Sequence, residues 1–243
     1  MQKTYSNLVK GIRQYFKQNS FKKAVIGLSG GIDSTLAAYL VAKAIGSQNL
    51  YGIMMPEIGI TSKESTDYAK KLAELAGINY LIIPINNFLA PYKRNLKWKE
   101  SKIAVINTKA RTRANILYNY ANTHNALVIG TSNKSEMMLG YFTKYGDGAC
   151  DLEAIGSLYK TEVYKLSRYL KLPKEIIERA PTAELFHGHT DEKELGAPYS
   201  EIDKILKQAE AGKKPKGKLA EEILKRIKAN EHKTKAVPII KVK

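Results

Sequence analysis

The chain has 243 residues, with 40 Lys+Arg against 23 Asp+Glu and a formal net charge of +17. Hydrophobic residues make up 44%, which excludes a wholly disordered chain and supports a substantial core, read as one unit over residues 1–243. A single cysteine, Cys150, excludes an intrachain disulfide and a Cys-based metal site. No apolar run reaches the roughly 18 residues that a bilayer span needs, and the N-terminus lacks the apolar core of a secretory leader. The expectation is therefore a cytoplasmic protein with no membrane partner. The charge asks for an anionic partner without naming it: RNA, a nucleotide, an acidic protein or a merely solvated surface all fit.

Residues 4–19 read as an amphipathic helix, with Leu8, Ile12 and Phe16 recurring every four positions. Ala24 to Leu28 is a short apolar run of the kind a buried strand shows. A glycine-rich turn follows at once, and Leu36 to Ala42 reads as a helix. Tyr51 to Met55 is a second strand, stopped by Pro56. Residues 62–76 read as a helix capped by Ser62 and ended by Gly77. Tyr80 to Pro84 is a third strand, 101–122 a long helix, and Ala126 to Gly130 a fourth strand. Beyond about residue 150 the pattern turns helical, near 159–170, 173–179, 200–210 and 218–229. Residues 211–218, AGKKPKGK, read as an exposed loop. Short apolar strands alternating with helices predict an α/β, Rossmann-like, doubly wound parallel sheet with helices on both faces and a helical C-terminal part. Ligands of such sheets bind beyond the C-terminal strand ends.

The densest chemical signal falls at such an end: Ser29-Gly30-Gly31-Ile32-Asp33-Ser34-Thr35, between the first strand and its helix. Glycines let the backbone turn tightly and approach a ligand. Free N–H groups at a helix start attract an anion, and Ser29, Ser34 and Thr35 add hydroxyls. Asp33 would repel phosphate directly, but suits a Mg²⁺ that bridges to phosphate. A plain Gly-rich turn with a serine cap is the competing reading. The loop is neither G-x-x-x-x-G-K-[ST] nor G-x-G-x-x-G. It resembles the SGGxDS loop of the N-type ATP pyrophosphatases, which release pyrophosphate from ATP as they adenylate a carboxylate or carbonyl oxygen.

A second cluster follows the fourth strand: Gly130-Thr131-Ser132-Asn133-Lys134-Ser135-Glu136, continuing through Gly140-Tyr141-Phe142-Thr143-Lys144-Tyr145-Gly146-Asp147-Gly148-Ala149-Cys150-Asp151. Polar, charged and glycine residues packed beyond a strand end mark function more than stability. With SGGIDS, this stretch is similar to the GTSNKSE…GYFTKYGDGA pattern of the NAD synthetases. Asn107 to Arg113 resembles that family's N-x-x-A-R-x-R segment, and Leu158-Tyr159-Lys160-Thr161 its LYKT. Pro181 to Leu185 and Thr190 to Gly196 resemble its late loop, and His232-Lys233 its C-terminal pair. The matches span about residues 25–233. Lys109 and His189 depart from the pattern, standing where many relatives carry glutamine. His187 and His189 form an H-x-H pair, read as two surface histidines because no cysteine completes a site.

The resemblance implies a ligase that amidates deamido-NAD (nicotinic acid adenine dinucleotide) with ammonia to give NAD, through an adenylated carboxylate, with AMP and pyrophosphate released. It implies that Gly27, Leu28, Ser29, Gly30, Gly31, Ile32, Asp33 and Ser34 hold the phosphates of ATP, the co-substrate. Thr131, Lys160 and Thr182 would also contact ATP, and Asp33 and Glu136 would bind Mg²⁺. Arg111, Lys144, Asp151, His232 and Lys233 would contact deamido-NAD. Asp33 and Lys160 would serve catalysis, and Asp147 would position ammonia. The resemblance further implies a homodimer with deamido-NAD partly across its interface; the helices at 4–19 and 101–122 offer candidate faces. Within 243 residues there is no room for a glutaminase domain, so free ammonia is the expected donor.

Two other readings compete. A tRNA-modifying ligase of the same superfamily would share SGGIDS but not GYFTKYGDGA. A nucleic-acid-binding module would interleave aromatics with lysines on one sheet face, whereas the 15 tyrosines are scattered; no nucleic-acid partner is expected. The charge itself is skewed: residues 204–243 hold 13 Lys+Arg and four Asp+Glu, and so carry +9 of the +17.

Overall fold

The computed structural model describes residues 1–182 and 190–242. Five parallel strands form one sheet in the order β3-β2-β1-β4-β5: β1 Lys23–Gly27, β2 Leu50–Met54, β3 Asn79–Ile82, β4 Ala126–Gly130 and β5 Leu152–Glu153. Ile26 sits opposite Gly52 on one side and Ile129 on the other. The chain thus winds outward from β1 in one direction and then restarts at β4 beside it. The crevice between β1 and β4 is the switch point where such sheets bind ligands.

Side-chain alternation sorts the strands onto two cores. Ala24 and Ile26, Leu50 and Met54, and Leu127 and Ile129 face α2 (Ile32–Ile45), flanked by α1 (Gln2–Gln18), α3 (Lys63–Ala76) and α7 (Lys160–Tyr169). Val25, Ile53 and Val128 face α5 (Lys102–His124) and α4 (Asn86–Asn95). Both faces are covered, so these strands read as continuous apolar runs. Ten of the fourteen α2 residues are buried, which is why its sequence shows no polar stripe. A third cluster joins α6 (Lys134–Leu139), α10 (Tyr199–Glu210) and α11 (Lys218–Thr234) through Leu139, Leu206 and Ile223.

The predicted elements are present, with ends shifted by a few residues. Ser62 caps α3 by accepting from the Ser65 N–H, and Gly77 ends it in the left-handed region. Ser101 caps α5 in the same way. Beyond those read from sequence the structure has α4, α6, α9 (Asp191–Leu195) and β5. α8 spans Lys174–Glu178. Among the described residues no helix is long and apolar enough to cross a membrane.

Candidate active site

A cleft of ≈ 840 Å³ opens over the C-terminal ends of β1, β2 and β4. On one flank runs α5; on the others lie α6, the start of α7 and the end of α11. The turn after β1 forms its floor. Ser34 Oγ donates to the Gly31 carbonyl at 3.0 Å and lies 3.0 Å from Ser29 Oγ, while the Gly31 N–H donates to Ser29 Oγ at 3.2 Å. The hydroxyls therefore brace the loop in its turned form. Gly27, Leu28, Ser29, Gly31, Ile32, Asp33 and Ser34 line the cleft. Gly30 does not. It holds φ +79°, and a Cβ there would collide with the Ser65 carbonyl, so this glycine lets the loop pack on the first turn of α3.

Above the loop stands the charged centre. Lys160, the first residue of α7, is 1% exposed. Its Nζ lies 2.5 Å from Asp33 Oδ2 and 3.3 Å from Glu136 Oε1. Asn133 Nδ2 donates to the other Asp33 oxygen at 2.9 Å. Asn133 and Glu136 also form the capping box that starts α6: Asn133 Oδ1 accepts the Glu136 N–H, and Glu136 Oε2 accepts the Asn133 N–H. The cap that makes a helix of GTSNKSE thus aims Glu136 at Lys160. Ser135 Oγ accepts the Lys160 N–H at 2.9 Å and donates to Asp203 Oδ1 at 2.5 Å, which ties α6, α7 and α10 together beneath the centre.

Two carboxylates share one buried ammonium here. Burial opposes the Lys160 charge, but Asp33 and then Glu136 outweigh it, so its pKa is raised. Burial pushes the Glu136 carboxyl up, with Asp33 adding to the rise and Lys160 opposing it. One negative charge is left in surplus, which a proton or a second cation must offset. Two hard carboxylates beside a phosphate loop form the donor set that Mg²⁺ takes when substrate phosphates and water supply the rest. Among the described residues no group of three or more His, Cys, Asp or Glu completes a metal site on protein alone. Asp33 and Glu136 are the residues that would hold such a metal.

Most of the remaining expected residues line the same cleft: Thr131, Thr182, Arg111, Lys144, Asp147, His232 and Lys233. Several are tied to one another. Arg111 Nε and Nη2 each donate to the Lys144 carbonyl at 3.3 Å, and Lys144 Nζ donates to the His232 carbonyl at 2.8 Å. Lys233 Nζ donates to the carbonyls of Gly140 and Phe142 at 2.8 and 3.0 Å, and burial lowers its pKa. Asp147 accepts the Thr143 N–H at 2.9 Å.

Asp151 departs from the expected grouping. It lies in a second pocket of ≈ 360 Å³, with Tyr15, Phe21, Tyr118, Asn122 and Leu127. Its carboxylate accepts from the Val128 N–H at 2.8 Å and the Tyr118 hydroxyl at 3.3 Å. Cys150 has its thiol pKa raised by burial and then by Glu153, the opposite of an activated nucleophile. The stretch Ala183 to Leu185 of the late loop, and both His187 and His189, lie outside the described residues.

The sequence reading missed Asn133 as the partner of Asp33, although N-x-x-E is a legible capping signature. It assigned no role to Glu57, which meets Lys109 in the cleft wall at 2.6 Å, and it missed Arg179, which reaches Ser62 Oγ at 3.4 Å. Single charged residues in loops gave no periodic signal for either.

A braced glycine-rich loop at the switch point, with a buried Lys–Asp–Glu centre above it, is the layout of an α/β enzyme that binds its ligand at the C-terminal strand ends. The family model for NAD synthase matches residues 4–237. The NH3-dependent NAD+ synthetase of Archaeoglobus fulgidus is 42% identical over 96% of this chain and 94% of its own. Among solved structures, the NMN synthetase of Francisella tularensis matches with a TM-score of 0.89 and 34% identity over 99% of this chain and 98% of its own. The NH3-dependent NAD synthetase of Campylobacter jejuni, in complex with nitrate, matches with a TM-score of 0.85 and 33% identity, over 99% and 98%. The chain belongs to the NAD synthase family, and it is a ligase.

Proposed function

We propose that the chain converts deamido-NAD, ATP and ammonia to NAD, AMP and pyrophosphate. The observation that carries this reading is the Lys160–Asp33–Glu136 centre set over the SGGIDS loop. ATP would lay its phosphates on that loop. A nicotinate carboxylate oxygen then attacks the α-phosphorus, the bond to the bridging oxygen breaks, and pyrophosphate leaves. Ammonia next attacks the carbonyl carbon of the adenylate, the C–O bond to AMP breaks, and the nitrogen sheds a proton. ATP supplies the activation, so no protein nucleophile is needed, in keeping with a Cys150 thiol whose pKa burial pushes up.

The protein contributes position and charge. Lys160, buried and fixed by two carboxylates, would hold the departing phosphates. Mg²⁺ held by Asp33 and Glu136 would neutralise phosphate charge as it moves to the leaving oxygen. Thr131 and Thr182 would add contacts to ATP. Arg111, Lys144, His232 and Lys233 would receive the dinucleotide, and Asp147, which lines the same cleft, would position ammonia.

A homodimer gives Asp151 its place. The α1 face is spent within the chain, where Ile12 and Phe16 join the core against α2. In α5 only Ala114 and Ala121 of 23 residues are buried. Its N-terminal half carries Arg111 into the cleft, and its C-terminal half lines the second pocket with Tyr118 and Asn122. A two-fold axis across the middle of this roughly 34 Å helix would set one protomer's cleft against its partner's second pocket. Deamido-NAD would then lie across both, with Asp151 supplied by the second protomer.

The test is NAD and AMP formation by the purified chain from ATP, ammonia and deamido-NAD. Equal turnover with glutamine replacing ammonia would overturn the nitrogen source. Because one similar structure is an NMN synthetase, nicotinic acid mononucleotide is the second arm, and preference for it over the dinucleotide would overturn the substrate. AMP release that requires tRNA and ignores both would overturn the whole reading.

A further inference from the structure

The proposed function leaves one ion pair in the cleft without a task. Glu57 lies three residues beyond the end of β2, and Lys109 lies on α5; Nζ and Oε2 are 2.6 Å apart. Both side chains are only 14% exposed, and both line the cleft. Glu57 is rigidly placed. Its N–H donates to Thr61 Oγ1 at 3.0 Å, and its carbonyl accepts from the N–H groups of Ile60 and Thr61 at 3.0 and 2.9 Å. Asn86 pins the next residue from α4, accepting the Ile58 N–H at 2.7 Å and donating to its carbonyl at 3.1 Å. The second carboxylate oxygen, Oε1, has no hydrogen-bond partner among the described residues, so a fixed acceptor faces the cleft with capacity to spare.

What reaches that acceptor follows from the layout around the phosphate loop. With its phosphates on the loop, a nucleoside triphosphate can extend toward β4 or toward β2. The β4 side is occupied by Lys160, Asp33, Glu136 and Asn133. On the β2 side the cleft is lined by Gly27, Leu28, Ile53, Met54 and Met55, a mostly apolar wall suited to a base rather than to phosphate. A sugar between base and phosphates would then lie near the end of β2, where Glu57 lines the cleft. An acidic residue just beyond β2 is also where doubly wound sheets take up ribose hydroxyls. Lys109 offsets the charge that Glu57 would otherwise set against the phosphates, and leaves one oxygen open to accept.

We infer that the Glu57 carboxylate, held by Lys109 at the end of β2, accepts a hydrogen bond from a ribose hydroxyl of the nucleoside triphosphate and thereby sets a preference for ribonucleotides. This rests on the proposed use of ATP and adds a specificity-determining residue to it.

The experiment compares kcat and KM of the full-length protein for ATP, 2′-deoxy-ATP, 3′-deoxy-ATP and inosine triphosphate, with deamido-NAD and ammonia constant. The wild type should lose about 10-fold or more in kcat/KM on at least one deoxy analogue. Replacing both partners together, Glu57→Met with Lys109→Met, strands neither charge. In that variant KM for ATP should rise until the ribose preference falls within about threefold of unity, with the loss on KM rather than kcat. Glu57→Gln, which keeps the shape and weakens the acceptor, should show the same trend in smaller measure, and serves if the double variant unfolds below the wild-type thermal midpoint. An unchanged ribose preference in a folded variant would overturn the inference. So would a wild type indifferent to the sugar, or a variant that instead loses its preference for ATP over inosine triphosphate, which would move Glu57 to the base. A wild type that makes no AMP from ATP would remove the proposed function itself, a separate outcome.

Discussion

At the scale of single residues, the centre of the site is a problem of charge. Lys160 is buried at 1% exposure because Asp33 and Glu136 are there to meet it. Lys160→Met keeps the bulk and removes the ammonium, so two carboxylates face each other without a cation. Removing one partner of a buried ion pair costs about 3–5 kcal/mol, and removing a charge that meets a developing anion costs about 10²–10³ in kcat. Urea unfolding and AMP release should show both losses; a variant that kept its kcat would remove Lys160 from the chemistry. A second residue affects stability away from the centre. Glu153 accepts the Ser132 N–H at 3.0 Å, and burial pushes its carboxyl up to about 7 from a reference of 4.5. Between those values the folded chain binds more protons than the unfolded one, so stability falls as pH rises through that window and levels off above it. The slope accounts for up to about 3 kcal/mol. In Glu153→Gln the pH 5 to pH 8 difference in unfolding free energy should shrink by that order, and an undiminished difference would show that Glu153 does not titrate there.

At the scale of elements, what the sequence made legible depended on periodicity and punctuation. β1, β2 and β4 stood out as apolar runs because each is buried on both faces, and α3 stood out because Ser62 and Gly77 bound it. α4 was hidden by Pro91, which sits inside it and reads as a breaker. There Asn86 holds the helix start to the loop after β2, so tertiary bonds support what local propensity opposes. β5 is two residues long, too short to show any period. The α6 stretch reads in sequence as a polar connection that marks function, and Asn133 and Glu136 in it spell out a helix cap. That element carries the third expected outcome. Asn133→Ala removes the cap and the hydrogen bond to Asp33 in one change. The cap alone is worth about 1 kcal/mol, so a modest fall in unfolding free energy should accompany a rise in KM for ATP as Asp33 loses one of its two anchors. A stability loss with KM unchanged would confine Asn133 to capping. The site residues were legible as motifs, yet their division between two pockets was not. Asp151 follows Asp147 by only four residues, and only the fold shows that between them the chain passes from the cleft to the pocket lined by the C-terminal half of α5.

At the scale of the whole molecule, the two pockets are an argument about assembly. The +17 charge and its concentration in the last 40 residues say little about which surface meets a partner. The half-covered α5 says more, because a 23-residue helix with two buried residues leaves a face for another chain. If that chain is a second copy, each complete site draws Arg111 from one protomer and Tyr118 with Asp151 from the other. This arrangement has a consequence that no single-chain site shares. Arg111→Ala should disable the cleft half, and Tyr118→Ala, which spares the Asp151 bond to Val128, should disable the pocket half. Each homodimer then has two broken sites. When the two variants are unfolded together and refolded as an equimolar mixture, random pairing makes about half the dimers mixed. In a mixed dimer both lesions can fall in one site, which leaves the other wholly wild type. About a quarter of wild-type NAD formation should return, and it should return only in the refolded mixture. Sedimentation should give twice the 27.2 kDa of one chain. No recovery in a mixture that reassembles as dimers would mean that each chain builds its site alone, with Asp151 serving only to hold β4 and α5 together.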